Sequence, residues 1–219
     1  MTKSIYDQLN ASGTVAKQRV VETFSGDALD TDRWNENESN GTNTFGMADS
    51  VDGGYTMTAD ATLNANPTIG YATSAGGSGK RQFALNGSVC IWVAKRNTAS
   101  STQKITTTAI GSGDNGDGAG SNNVHMCTIR ALYDYWYLRT CGSDGSQTDT
   151  STTSAYDTNW HTFKSIQGAS SVIMSVDGVT LATNTTNLPT GGGSPFAGMQ
   201  SQNGGLASLS VKYMECYNT

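Results

Sequence analysis

Residues Trp160 to Thr183, WHTFKSIQGASSVIMSVDGVTLAT, carry the clearest strand and turn signals of the chain. Asp177-Gly178 stands between two runs rich in β-branched residues and supplies the positive φ values that a two-residue type I′ turn needs. With these two residues as the loop, Val176 faces Val179, Met174 faces Leu181 and Val172 faces Thr183. All six lie on one side of the ribbon, because side chains alternate along a strand. Ser175 with Thr180 and Ile173 with Ala182 take the other side. One face is the more apolar, as expected for half of a sandwich core whose second face is partly wet. The segment from Trp160 to Ile166 puts His161 and Phe163 on one face. A turn at Gly168-Ala169-Ser170 then leads into the hairpin, so three strands meander here.

Around this meander the composition sets bounds. The chain has 219 residues, enough to bury roughly 70% of its unfolded surface as one core. Leu, Ile, Val and Phe together fall below about a fifth of the chain, a level associated with disorder only when net charge is also high. A net charge of -5 is modest. Thr, Ser, Gly and Asn fill the gap, and Thr with the aromatics favours strands, so a thin all-β core rich in Ala, Thr and Met is expected. Thirteen Lys and Arg without a cluster argue against a nucleic-acid partner, since phosphate contacts need grouped cations.

The first residues, MTKSIYDQLNASGTVAKQRV, hold no apolar run of secretory length, and no segment approaches the length of a membrane span. The expectation is a chain made in a host cytoplasm, without membrane contact, whose Asn40-Gly41-Thr42 and Asn184-Thr185-Thr186 sequons are chance products of composition. Four cysteines, widely spaced, read as reduced core residues. Cys127 and Cys141 are the exception, a candidate disulfide placed symmetrically about Asp134 in an expected hairpin.

Ser4-Ile5-Tyr6-Asp7 fits a helix-capping pattern, with a short helix from Ile5 to a stop at Gly13. Residues 1-19 are read as an arm and residues 20-219 as one β-sandwich. Ile5, Tyr6 and Leu9 are either part of a frayed tail or the grip of the arm on a partner chain. Further strands are expected at Val20 to Phe24, Thr44 to Met47, Gly54 to Thr58, Thr68 to Ala72, Ser88 to Lys95, Gln103 to Ile110, Val124 to Leu132 and Tyr135 to Thr140. Ser88 to Lys95 is apolar on both faces and should be central. Glycine-dense Ala75 to Gly79, Gly111 to Asn123 and Thr190 to Ser194 read as loops.

The segment Phe24-Ser25-Gly26-Asp27-Ala28-Leu29-Asp30-Thr31-Asp32-Arg33-Trp34 resembles the opening of concanavalin A-like lectin/glucanase (LamG-like) domains. Trp160-His161-x-Phe163 with the Val176-Asp177-Gly178 hairpin resembles their second half, and Leu209 to Glu215 their terminal strand. The resemblance implies a two-sheet antiparallel jelly-roll sandwich, a first strand paired with the last, and a tryptophan sealing one end of the core. It carries no function by itself.

Glucanases of this fold would require an E-x-D-x-x-E or E-x-D-x-E run, holding nucleophile and acid about 5 Å apart. None is found. Glu36 and Glu38 have the parity but lack the middle aspartate, and they read as a solvated loop, so the chain is expected not to be an enzyme. Asp114 and Asp117 are weak calcium candidates that miss EF-hand spacing. His125, Cys127 and Cys141 do not complete a zinc site, and no Gly-x-Ser-x-Gly elbow supports a Ser-His-Asp arrangement. No metal or cofactor is expected. Tyr133, Tyr135 and Tyr137 form a stripe on one strand face, with Trp136 and Leu138 on the other. Such rings thicken a core, anchor an interface or stack on sugars.

These readings converge on a virion structural protein, a capsid decoration or cement subunit or a fibre or spike component. It would bind the major capsid protein or neighbouring subunits through its arm and one sandwich face, as a homo-oligomer. The alternative is a non-catalytic, lectin-like carbohydrate-binding module that takes glycan on the tyrosine stripe.

Overall fold

The computed structural model describes residues 19-47, 53-62, 65-71, 83-97, 104-111, 135-155, 157-201 and 206-219. The regular structure in them is entirely strand: β1 (Arg19–Glu22), β2 (Trp34–Ser39), β3 (Thr44–Met47), β4 (Tyr55–Ala59), β5 (Asn66–Tyr71), β6 (Phe83–Ala84), β7 (Ser88–Arg96), β8 (Lys104–Gly111), β9 (Tyr135–Cys141), β10 (Gln147–Ala155), β11 (His161–Gln167), β12 (Val172–Val176), β13 (Val179–Asn184), β14 (Gly192–Ser201) and β15 (Ala207–Asn218). One sheet runs β13-β12-β11-β7-β15-β4-β3, with β1 added on β15. A second runs β2-β5-β14-β6 with β8 on β14, and β9-β10 is a separate ribbon. All pairings are antiparallel. The expected all-β sandwich is therefore present, and the first strand does pair with the last: Val20 lies opposite Cys216.

The sandwich closes around aromatic rings. Inward residues of β4, β7, β11, β12 and β15 meet Trp34, Ile69, Ala197 and Met199 of the second sheet, and Trp136 and Leu138 of β9, in one buried cluster. Both the second sheet and the ribbon thus pack on the inner face of the first. Phe24 sits 5.0 Å from Trp34 and 6.3 Å from Trp92, and Trp34 also meets Tyr71 at 5.4 Å. Phe24 adopts a left-handed φ of +42°, which costs a side-chain-bearing residue about 1–2 kcal/mol. Burying its ring contributes about 1.5–3 kcal/mol, and each aromatic pair adds about 0.5–1.5 kcal/mol, so burial prevails.

The Asp177-Gly178 turn forms as its sequence requires, with φ of +49° and +83°. The hairpin register does not follow the expectation beyond Ser175. A bulge between Met174 and Ser175 absorbs Leu181, so Met174 faces Ala182 and Val172 faces Asn184. The bulge turns Asn184 inward, where it is buried. Its Nδ2 donates to the Thr148 carbonyl at 3.0 Å, to Thr140 Oγ1 at 3.1 Å and to the Leu138 carbonyl at 3.4 Å, while Thr150 Oγ1 donates to its Oδ1 at 2.5 Å. One amide thereby ties β13 to the β9-β10 ribbon.

Several strands depart from the sequence reading. Residues 34-39 are strand β2 and not a solvated loop, and Glu36 accepts a hydrogen bond from the buried Tyr55 hydroxyl across the two sheets. Burial first, then the Glu36 carboxylate, pushes the Tyr55 phenol well above its ordinary range. Residues 192-201 form β14, buried along nearly its whole length, although 190-194 read as loop. Pro195 falls between the residues paired to β6 and those paired to β5, a place where a missing N–H is tolerated. A Cβ at Gly193 would lie 2.8 Å from the Gly111 carbonyl oxygen, so only glycine fits there. Finally, β9 pairs with β10. The expected partner, 124-132, lies outside the described residues, as do Ile5, Tyr6, Leu9 and the capping pattern.

Replacing Asn184 with Ala removes one partner from four buried or half-buried groups and is expected to cost roughly 2–3 kcal/mol. Urea denaturation measures it, and a loss under about 0.5 kcal/mol would show that the amide is not the tie described.

Candidate functional site

The tyrosine stripe is divided by the structure. Tyr135 and Tyr137 project from the same outward face of β9, while Trp136 and Leu138 enter the core. Tyr135 is 42% exposed and is the one exposed aromatic among the described residues; Tyr137 is half-buried, and Tyr133 lies outside them. On the same face Tyr137 stands opposite Ser151, and Arg139 opposite Asp149. Arg139 is buried, and its Nε and Nη2 both reach the Asp149 carboxylate at 2.6 Å. This planar, two-point pair fixes the ribbon beside the rings. Sequence reading missed it because β10, QTDTSTTSA, lacks the apolar alternation that marks a strand.

The face of the second sheet turned away from the main core is mixed, with amides and hydroxyls around one buried ring. Register places Asn35 opposite Gly70, Asn37 opposite Thr68, Gly70 opposite Phe196 and Phe196 opposite Ala109. Phe196 and Ala109 form a buried pair there, separate from the main core. Among the described side chains of these strands, no carboxylate shares that face. Glu36 lies on the other one, with Trp34.

A second polar centre sits at the start of β11. His161 Nδ1 lies 2.6 Å from Asp177 Oδ2 and Nε2 lies 2.8 Å from Asp157 Oδ1. Asp177 also accepts the Thr162 backbone N–H at 2.8 Å, and Asp157 that of Asn159 at 2.7 Å. Only the imidazolium donates from both nitrogens. Burial lowers the His161 pKa, but the hydrogen bonds and charges of Asp177 and Asp157 outweigh it, so the net shift is upward. For both aspartates burial acts upward, and the backbone donors together with His161 prevail to hold them below the usual carboxylate range. With both ring nitrogens engaged, His161 is a fastener and not a base for a serine. The signal was present in the sequence as Asp157-x-x-x-His161 and in the turn aspartate.

Trp160 lies beneath two ammonium groups, with Lys212 Nζ 4.5 Å and Lys95 Nζ 4.9 Å from its ring centroid. The three described cysteines, Cys90, Cys141 and Cys216, are free and buried. Cys127, His125, Asp114 and Asp117 lie outside the described residues. Among the described residues no group of three His, Cys, Asp or Glu is arranged to hold a metal ion, and no helix is long and apolar enough to cross a membrane.

The sign of the His161 effect gives a test. A raised folded-state pKa contributes stability that is complete below the unfolded value of about 6.5 and is lost as pH rises through the folded value. The aspartates contribute above their unfolded values and lose that contribution as pH falls through their lowered ones. The urea midpoint should therefore fall from pH 6 to pH 9, with a smaller fall in His161→Gln. Equal slopes in the two proteins would remove His161 as the cause.

No protein-family model matches the chain, and comparison with curated proteins gives no match. Solved structures do resemble it. A glycoside hydrolase family 16 protein of a Bacteroides ovatus mixed-linkage glucan locus, in complex with a glucan product, superposes with a TM-score of 0.59 at 9% identity, covering 89% of this chain and 98% of that one. The Bacillus licheniformis β-glucanase gives 0.59 at 10% identity, covering 92% and 98%. The carbohydrate recognition domain of Emp47p gives 0.52 at 13% identity, covering 88% and 93%. These likenesses correct the expectation that the chain is not an enzyme, because the structures that share its fold include glycoside hydrolases. At such identities they carry the architecture and no residue roles. The chain is an all-β, two-sheet antiparallel jelly-roll sandwich, the architecture of these solved structures.

Proposed function

We propose that the chain engages a polysaccharide on the outward face of the β9-β10 ribbon. The observation that carries this reading is Tyr135, the single exposed aromatic among the described residues, whose other rings are buried or half-buried. A phenol ring offers a sugar a flat apolar surface and a polar tip at little entropic cost. Tyr137 and Ser151 continue the face with hydroxyl groups. The Arg139–Asp149 pair holds the ribbon rigid, so little ordering remains to be done on binding. The structures that share the fold act on or recognise glycans, which supports this ligand class. Whether the bound chain is also cut is decided by the same experiment.

Retention on immobilised β-glucans and uronate polymers, followed by titration of the best one, is the direct test. Tyr135→Ala is expected to weaken binding about tenfold, or about 1.4 kcal/mol, with an unchanged unfolding midpoint. Reducing-end release from the same polymers reports cleavage. No retention of the wild-type protein, or equal retention of the variant, would end the proposal.

A second reading rests on Ile5, Tyr6 and Leu9, large apolar residues in a leading segment rich in polar ones. In it the chain is a virion structural subunit, a decoration, fibre or spike protein that grips neighbouring particle proteins through that segment. Deleting residues 1-19 should then leave a folded sandwich that no longer joins particles. Undiminished incorporation would sink this reading and leave the glycan proposal untouched.

A further inference from the structure

Cys90 of β7 and Cys216 of β15 are direct register partners. Both side chains point into the core, 1% and 0% exposed, and both thiols are free. The juxtaposition depends on a bulge: β15 absorbs Lys212 between Val211 and Tyr213. The bulge lets Val211 and then Met214 and Cys216 all face inward, although they differ in parity. Without it Cys216 would face outward, away from Cys90.

Directly opposed residues in antiparallel strands have Cα atoms about 4.5–5.5 Å apart, with similar Cβ separations. A disulfide takes Cα separations of about 4.4–6.8 Å but Cβ separations of about 3.5–4.5 Å. The backbone spacing of such a pair is already suitable, and the Cβ atoms need to draw in by up to about 1 Å. A bond closed that way is strained, and strained disulfides are the readily reduced ones. We propose that Cys90 and Cys216 are a reversible thiol–disulfide site that fastens β7 to β15 under oxidising conditions.

In the closed fold the pair is protected. The Cys90 thiol lies 3.8 Å from the Ala109 carbonyl oxygen, to which it donates. Burial first, then contact with Cys90, raises the Cys216 thiol well above its ordinary pKa, and a protonated thiol is a poor nucleophile. Reaction therefore waits on local parting of β15 from β7. A small disulfide then supplies the oxidising equivalents. One protein thiol loses its proton and attacks a sulfur of oxidised glutathione, forming a mixed disulfide and expelling one glutathione thiolate. The second protein thiol, deprotonated in turn, attacks the protein sulfur of that mixed disulfide and expels the other. Two protein thiols are oxidised to one disulfide, and one small disulfide is reduced to two thiols.

The test uses the wild-type chain, incubated with oxidised glutathione at mildly alkaline pH, quenched in acid, alkylated and mapped by mass spectrometry. The expected main product is a Cys90–Cys216 cross-linked peptide that dithiothreitol reverses, with an unfolding midpoint above that of the reduced protein. Cys216→Ser should give no internal cross-link at Cys90 and no gain in midpoint. Two fully alkylatable thiols, lasting glutathione adducts without a cross-link, or cross-linking of either cysteine mainly to Cys127 or Cys141 would each overturn the proposal. Glycan retention is measured separately, so failure here is distinguishable from failure of the proposed function.

Discussion

The structure depends on one packing constraint: a chain poor in branched aliphatic residues must still fill the space between two sheets. It does so with rings. Trp34 from β2 and Trp92 from β7 meet at 6.2 Å, with Phe24 against both. Trp34 and Trp92 come from opposite layers, so one cluster sets the separation of the sheets. Alanine and methionine fill the remainder: Ala59, Ala94, Ala197 and Ala207 beside Met57, Met174, Met199 and Met214, whose flexible thioether chains adapt to irregular gaps. The left-handed backbone of Phe24 is the local cost of bringing its ring to that point. Glu22 secures the entrance, since its Oε2 accepts the Trp34 Nε1–H at 3.0 Å and lies 3.2 Å from Arg33.

The sequence makes some of this legible for physical reasons that can be named. Asp177-Gly178 announces its turn because few other dipeptides accept two positive φ values. β7, apolar on both faces, announces a central strand, and it is central, between β11 and β15. What escapes reading is what composition disguises. The polar run of β2 hides a strand whose Trp34 side is core and whose opposite side is Asn. The glycines of β14 resemble a loop, yet at Gly193 neighbouring backbone comes too close for a side chain. Both bulges are invisible in the sequence, since a single absorbed residue leaves no compositional trace, and each reverses the facing of everything beyond it.

The same distinction separates the polar sites. Tyr135 is found by alternation because the pattern that exposes it lies within one strand. Arg139–Asp149 joins residues of two strands, and no local pattern encodes it; of the His161 centre the sequence shows only the Asp157-x-x-x-His161 spacing and the turn aspartate. The His161 centre also shows how a turn chosen for its backbone takes a second role. Asp177 tolerates the left-handed conformation, and its carboxylate then caps the Thr162 amide and holds the imidazolium. The hairpin loop and the start of β11 are thereby joined at the point where Trp136 packs against Phe163, at 5.1 Å.

The bulge at Lys212 divides β15 into two halves that are out of phase. Ala207, Leu209 and Val211 face the interior on odd numbers, and Met214 and Cys216 on even ones. Loss of one residue at position 212 would leave a straight strand in which every remaining side chain keeps its face. Loss of one residue between Met214 and Cys216 would exchange a thiol for an aromatic ring in the interior. Tolerance of length change in the spine of this sandwich thus lies at the bulge, which a plain alternation of polar and apolar letters would not distinguish from its surroundings.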